Sequence, residues 1–179
     1  MQLRTFKTLW GHTGSIDQGA LLARAAGCAG LEAPAAHSAP GYLEQLASAL
    51  QTHELEWIQE ICTAGSYVPR RDASVREHLE DLLCSFETHR GRSFYCPWNT
   101  VTILQALPAL KITCDFSHWV VVCERLMDSE WDAVSLAAQH AHHIHGRVGY
   151  DQGPQVPHPG APEYAEALAS HQRCWEAIW

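Results

Sequence analysis

Two stretches carry residues whose types and spacing could do chemistry. The first is Lys111-Ile-Thr-Cys-Asp-Phe-Ser-His-Trp119, in which Asp115, a hard oxygen ligand, stands three residues before His118. Ile112, Cys114 and Phe116 alternate with Thr113, Asp115 and Ser117, which predicts a short buried strand ending in polar side chains. A carboxylate at the end of an apolar strand costs free energy unless something pairs with it. Capping the next turn is one use for it, and holding a cation is another. The second stretch is His142-His-Ile-His-Gly-Arg-Val-Gly149. Read as a strand, it puts His143, His145, Arg147 and Gly149 on one face. A lone histidine there would be a hydrogen-bonded interior side chain; two imidazoles and a guanidinium together fit a site better than a core.

Asp115, His118, His145 and Arg147 all fall at predicted strand ends, where parallel sheets place their ligands. Glu32 and Glu87 stand at comparable positions. Two carboxylates and one imidazole make a mostly oxygen site for a divalent ion, with Mn²⁺, Mg²⁺, Co²⁺ and Zn²⁺ all chemically possible. Such an ion is a Lewis acid toward a carbonyl or hydroxyl, and a carboxylate beside it can move protons. His118 and Arg147 would hold and polarise substrate oxygens. The polar, proline-bounded loop 149–157, with Gln155 in it, reads as a wall on the substrate side, with a plain surface turn as the alternative.

The elements that must position these groups alternate. Thr5–Trp10 predicts a first strand, followed by the loop Gly11–Gly14. Ser15 with Gln18 forms a capping box that opens a helix, which Gly27 closes. Cys28–Ala33 is a second strand, and Leu43, Leu46, Ala47 and Leu50 mark one face of a second helix. Leu55–Cys62 is a third strand, interrupted at Gly65 and followed by a loop at Pro69–Arg71. Ser74 with Glu77 opens a third helix whose stripe is Leu79, Leu82, Leu83 and Phe86. Further on come a helix around Trp98–Leu107, the strand at Lys111, a helix over Trp131–Ala138, a strand over His140–Val148, and a helix from Pro162 to Ile178. Strands separated by helices predict an α/β fold with a parallel sheet, because parallel strands need helical crossovers. At Phe86–Glu87 the pattern breaks: a helical stripe runs straight into a polar strand-end cluster with no strand body between.

The 179 residues suit one domain, and a hydrophobic content of 46% is that of an ordinary globular chain. A formal net charge of -8 argues against nucleic acid as a partner, which calls for a basic surface. Seven cysteines without a CxxC pair, and no basic-then-apolar leader after Met1, predict reduced thiols and a cytoplasmic setting. No apolar run is long enough to span a membrane.

Five stretches occur in a telling order: Thr8-Leu-Trp-Gly-His12, Gly30-Leu-Glu-Ala-Pro34, Glu87-Thr-His-Arg-Gly91, Asp115-Phe-Ser-His-Trp119, and His143-Ile-His-Gly-Arg-Val-Gly-Tyr-Asp-Gln-Gly-Pro-Gln155. Together they resemble the sugar phosphate isomerase/epimerase family, the xylose isomerase-like TIM barrels. The resemblance implies a (βα) barrel and a divalent metal held by Glu, Asp, His and Glu. It matches Glu87, Asp115 and His145 to the first three ligands, with Glu87 also catalytic. His118, Arg147, His12, Glu32 and Gln155 fall on the substrate side, toward a small sugar or sugar phosphate. Family barrels are longer. This chain resembles one lacking a strand and helix near 84–87 and the last strand with its glutamate, so about six of the eight βα units of such a barrel are visible. A barrel open in two places leaves strand edges that invite pairing into a homo-oligomer. A catalytically inactive remnant or an incomplete gene model of the family is the competing expectation.

Overall fold

The computed structural model describes residues 3–35, 39–60 and 86–179. The chain divides into two compact units, Met1–Cys84 and Ser85–Trp179. Each holds a three-stranded parallel sheet, and no closed barrel is formed among the described residues. The α/β alternation read from the sequence is therefore present as two small, open, parallel sheets.

In the first unit the strands β1 (Phe6–Thr8), β2 (Gly30–Pro34) and β3 (Glu56–Glu60) lie in that order, with α1 (Ile16–Ala25) and α2 (Tyr42–Thr52) as crossovers. The expected capping box is in place: Ser15 Oγ accepts from Gln18 N–H at 3.1 Å, and Gln18 Oε1 accepts from Ser15 N–H at 2.9 Å. Gly27, at φ 73°, ends the helix. The N–H groups of Gly27 and Cys28 return to the carbonyls of Arg24 and Ala23, so the last turn is satisfied without water. Small side chains bring α1 against the sheet, with Ala20 and Ala23 meeting Leu31 and Ala33. Gly30 is required by that sheet, since a Cβ there would lie 2.3 Å from the Glu56 carbonyl oxygen.

In the second unit β4 (Phe86–Glu87), β5 (Ile112–Cys114) and β6 (Ala141–Ile144) form the sheet. The crossover from β4 to β5 is α3 (Pro97–Ala106), with Pro97 in its first turn, where a missing N–H costs nothing. Between β5 and β6 run α4 (Phe116–Cys123), a 3₁₀ turn (Met127–Glu130) and α5 (Trp131–His140). A second 3₁₀ turn (Pro162–Tyr164) leads into α6 (Ala165–Glu176). Trp119, Phe116, Ile112, Leu104 and Val134 form the centre of the core, and the Trp119 indole N–H donates to the Phe94 carbonyl.

Several expected elements need correction. Phe86 belongs to strand β4, not to a helix stripe. The strand at Lys111 stops at Cys114, because Asp115 leaves extended geometry to cap α4, a helix absent from the periodicity reading. Likewise β6 ends at Ile144, and His140 is the last residue of α5. Gly65, the Pro69–Arg71 loop, the Ser74–Glu77 box, the stripe Leu79–Leu83 and the break beginning at Cys84 lie outside the described residues. Cys28, Cys96, Cys114, Cys123 and Cys174 are free of disulfides, and no described helix is long and apolar enough to cross a membrane.

Candidate metal centre

The second unit's sheet dictates the site. Glu87 is the last residue of β4, Asp115 the first beyond β5 and His145 the first beyond β6. Because the strands are parallel, all three ends lie on one edge, and adjacent strands are only about 4.8 Å apart. Side chains leaving that edge must meet. Glu87 Oε1 lies 2.8 Å from His145 Nδ1 and 3.9 Å from His118 Nε2. Asp115 Oδ2 lies 3.6 Å from His118 Nε2, 3.8 Å from His145 Nδ1 and 3.6 Å from Arg147 Nε.

Asp115 divides its two oxygens. Oδ1 makes the N-cap of α4, accepting from the Ser117 N–H at 3.0 Å, and it also accepts from the Ser117 hydroxyl. Oδ2 faces the imidazoles and the guanidinium. Capping thus occupies one oxygen of the carboxylate and leaves the other facing the cluster. Ser117 Oγ in turn accepts from Arg147 Nε at 2.6 Å, so the guanidinium reaches Asp115 through the hydroxyl as well as directly.

Electrostatics separates the two acids. Asp115, with its side chain only 4% exposed, is pushed above the usual carboxylate range by burial, and the nearby Glu87 charge adds to this; Arg147, Ser117 and His145 only partly offset it. Glu87 is 33% exposed; burial acts upward there too, but the His145 hydrogen bond and the His145, His89 and His118 rings outweigh it and hold its pKa low. Burial, then Arg147 and His89, bring the pKa of His118 down to about 3. That ring is neutral and keeps a lone pair. Arg147 Nη2 stands 2.8 Å from its Nε2 and 3.0 Å from its Nδ1, and the His89 ring packs on it with centroids 3.9 Å apart.

The donor set fits a divalent cation. Ligand atoms about 2.0–2.2 Å from one ion stand about 3 to 3.5 Å from each other. Glu87, Asp115 and His118 each offer an atom within 4.8 Å of the others, and His145 Nδ1 adds a fourth beside both acids. Carboxylates suit Mg²⁺ and Mn²⁺, while imidazoles shift preference toward Co²⁺ and Zn²⁺.

No protein-family model, curated protein or solved structure matches the chain.

Of the residues expected at the site, Glu87, Asp115, His118, His145 and Arg147 are brought together in the second unit. His12 and Glu32 belong to the first. There His12 Nε2 donates to the Ser15 carbonyl at 3.0 Å, at the start of α1. Glu32 is buried on β2, with its carbonyl accepting from Leu9 N–H. Gln155 is exposed in the turn before Val156. Residue types and spacing point to no role for Thr88, His89 or Ser117, although each sits inside a stretch singled out for its neighbours.

Proposed function

We propose that the chain is a divalent-metal-dependent sugar, or sugar phosphate, isomerase or epimerase, built on the xylose isomerase-like (βα) plan. The observation that carries this reading is the convergence of Glu87, Asp115, His118 and His145 at the ends of three parallel strands. Glu87, Asp115 and His145 would hold the ion, which would supply Lewis-acid polarisation of a substrate carbonyl or hydroxyl. The remaining work falls to side chains. Glu87, one-third exposed and held deprotonated, would take a proton from the carbon next to the carbonyl. Returning it to the neighbouring carbon, while the hydroxyl proton passes to the former carbonyl oxygen, interconverts aldose and ketose. Arg147 and His118 orient substrate oxygens, the guanidinium as a fixed fork and the neutral imidazole as donor or acceptor.

Calorimetric titration of the purified chain with Mn²⁺, beside an Asp115→Asn control, tests the reading. Saturable binding that the control loses supports it, and assays of aldose–ketose interconversion on small sugars and their phosphates follow. Absence of binding in the wild-type chain overturns it.

A further inference from the structure

Among the described residues, β4 and β5 pair at Phe86 with Ile112 and at Glu87 with Thr113. The backbone ladder between them ends where Thr88 N–H donates to the Thr113 carbonyl at 3.0 Å. One rung further the strands separate, because Asp115 turns away to cap α4. The Thr88 side chain supplies the missing rung. Its Oγ1 accepts from the Asp115 N–H at 2.7 Å and donates to the Asp115 carbonyl at 3.0 Å, and the whole residue is buried. A hydroxyl has one proton and two lone pairs, so both bonds form together. The Asp115 carbonyl also accepts from His118 N–H at 3.3 Å; for the Asp115 N–H, Thr88 is the hydrogen-bond acceptor observed.

We propose that Thr88 is a positioning residue for the metal centre, a deduction that rests on the metal-site reading above. It follows Glu87 directly in the chain and grips the Asp115 peptide from both sides. One side chain therefore fixes the separation and tilt of two ligand carboxylates from neighbouring strands. The β-branched side chain is stiff at χ1, which holds the hydroxyl in place. Valine keeps the shape and the stiffness but offers no hydrogen bond, whereas serine keeps the hydroxyl. Groups that orient ligands from behind are worth about 10–100-fold in metal affinity when removed.

The test titrates the full chain with Co²⁺, reading affinity by calorimetry and ligand geometry by the visible absorption of the bound ion. Thr88→Val is expected to bind about 10–100-fold more weakly with an altered spectrum, and Thr88→Ser to stay within a few-fold of wild type with the same spectrum. A folded Thr88→Val chain with wild-type affinity and spectrum overturns the proposal. So does a folded Thr88→Ser chain that loses as much as the valine variant. If Thr88→Val does not fold, Thr88→Ala, in which a water can reach the Asp115 N–H, takes its place under the same criteria. A wild-type chain that takes up no Co²⁺ sinks the metal reading itself, and Thr88 with it. Wild-type binding beside an indifferent valine variant sinks Thr88 alone.

Discussion

Gly149 donates its backbone N–H to Nε2 of His171 at 3.0 Å. The other ring nitrogen, Nδ1, donates to the Ala167 carbonyl at 2.8 Å, so the buried imidazole is fixed in one neutral tautomer. Gly149 also lies on the first turn of α4, where a Cβ would come 2.6 Å from the Ser117 carbonyl oxygen. Through this pair, α6 presses the segment carrying His145 and Arg147 onto the residues that hold Asp115.

The ring's burial, with Arg147 nearby, lowers the His171 pKa below that of a free histidine. In the unfolded chain the ring takes a proton near about pH 6.5, while the folded chain resists it. The stabilisation is therefore complete above that pH and declines as pH falls through the unfolded value toward the folded one. Urea midpoints measured from pH 7.5 to 5.5 will show this slope, and His171→Gln, which cannot titrate, will have a shallower one. Equal slopes would remove His171 from the acid response.

Gly149→Ala should destabilise by about 1–3 kcal/mol, the range for forcing a methyl into packed atoms, since the obstructing Ser117 atoms are mainly backbone. Gly146 is the internal control: a Cβ there meets nothing within 4 Å, and its φ is not in the left-handed region. Gly146→Ala is expected to be neutral or slightly stabilising, by less than about 1 kcal/mol. Denaturant unfolding of the two variants decides between crowding at Gly149 and a general intolerance of this loop.

Asp115→Asn should separate stability from chemistry. The amide oxygen can still accept from Ser117, so the helix cap survives, but the ligand charge is lost. Because the folded state raises the Asp115 pKa, it disfavours the ionised form at neutral pH. The ion-free variant is therefore expected to melt at the wild-type temperature or above it. Its Mn²⁺ affinity should fall by more than the roughly 10–100-fold typical of groups behind the ligands. A lower melting temperature without metal would mean that the Arg147–Asp115 pairing outweighs burial.

Asp128 ties the 3₁₀ turn to α6, accepting from Ser170 Oγ at 2.6 Å and from Arg173 Nε at 2.9 Å. The Ser170 hydrogen bond lowers its pKa most; burial opposes it, and the Arg173 hydrogen bond and charge add to the lowering. Its contribution is present above about pH 3.9 and is lost as pH drops through the depressed folded value. With side chains 46% and 48% exposed, the Asp128–Arg173 pair is worth about 0.2–1 kcal/mol. Asp128→Asn should cost that much at pH 7 and progressively less in acid, a convergence that unfolding curves at pH 7, 4 and 2.5 would reveal.

What the sequence disclosed depended on whether the signal was local. The Ser15–Gln18 box is complete within four residues, and the structure contains it as read. Asp115 and His118 were legible because charge beside an apolar run is conspicuous. Helix α4 was not: Phe116, Trp119 and Val120 are buried along with Ser117 and His118, so no polar face marks a 3.6-residue period. Strand β4 is two residues long and leaves no alternation to detect. Thr88 is uncharged, and its partner is 27 residues away, a relationship that exists only once β4 and β5 pair.

Glu87, Asp115 and His145 all stand at or just past the end of a strand, while Ile112 and Cys114 lie within one and face only the core. Two kinds of tolerance follow from this layout. Exchanging one aliphatic side chain for another inside the strands alters how much heat the unit survives and leaves the cluster's composition intact. A change one residue further along, of the same chemical size, spares the buried core and removes a member of the cluster. Drift in such a chain would separate into two populations, frail copies with the cluster whole and sturdy copies with the cluster broken, divided at the last rung of each strand.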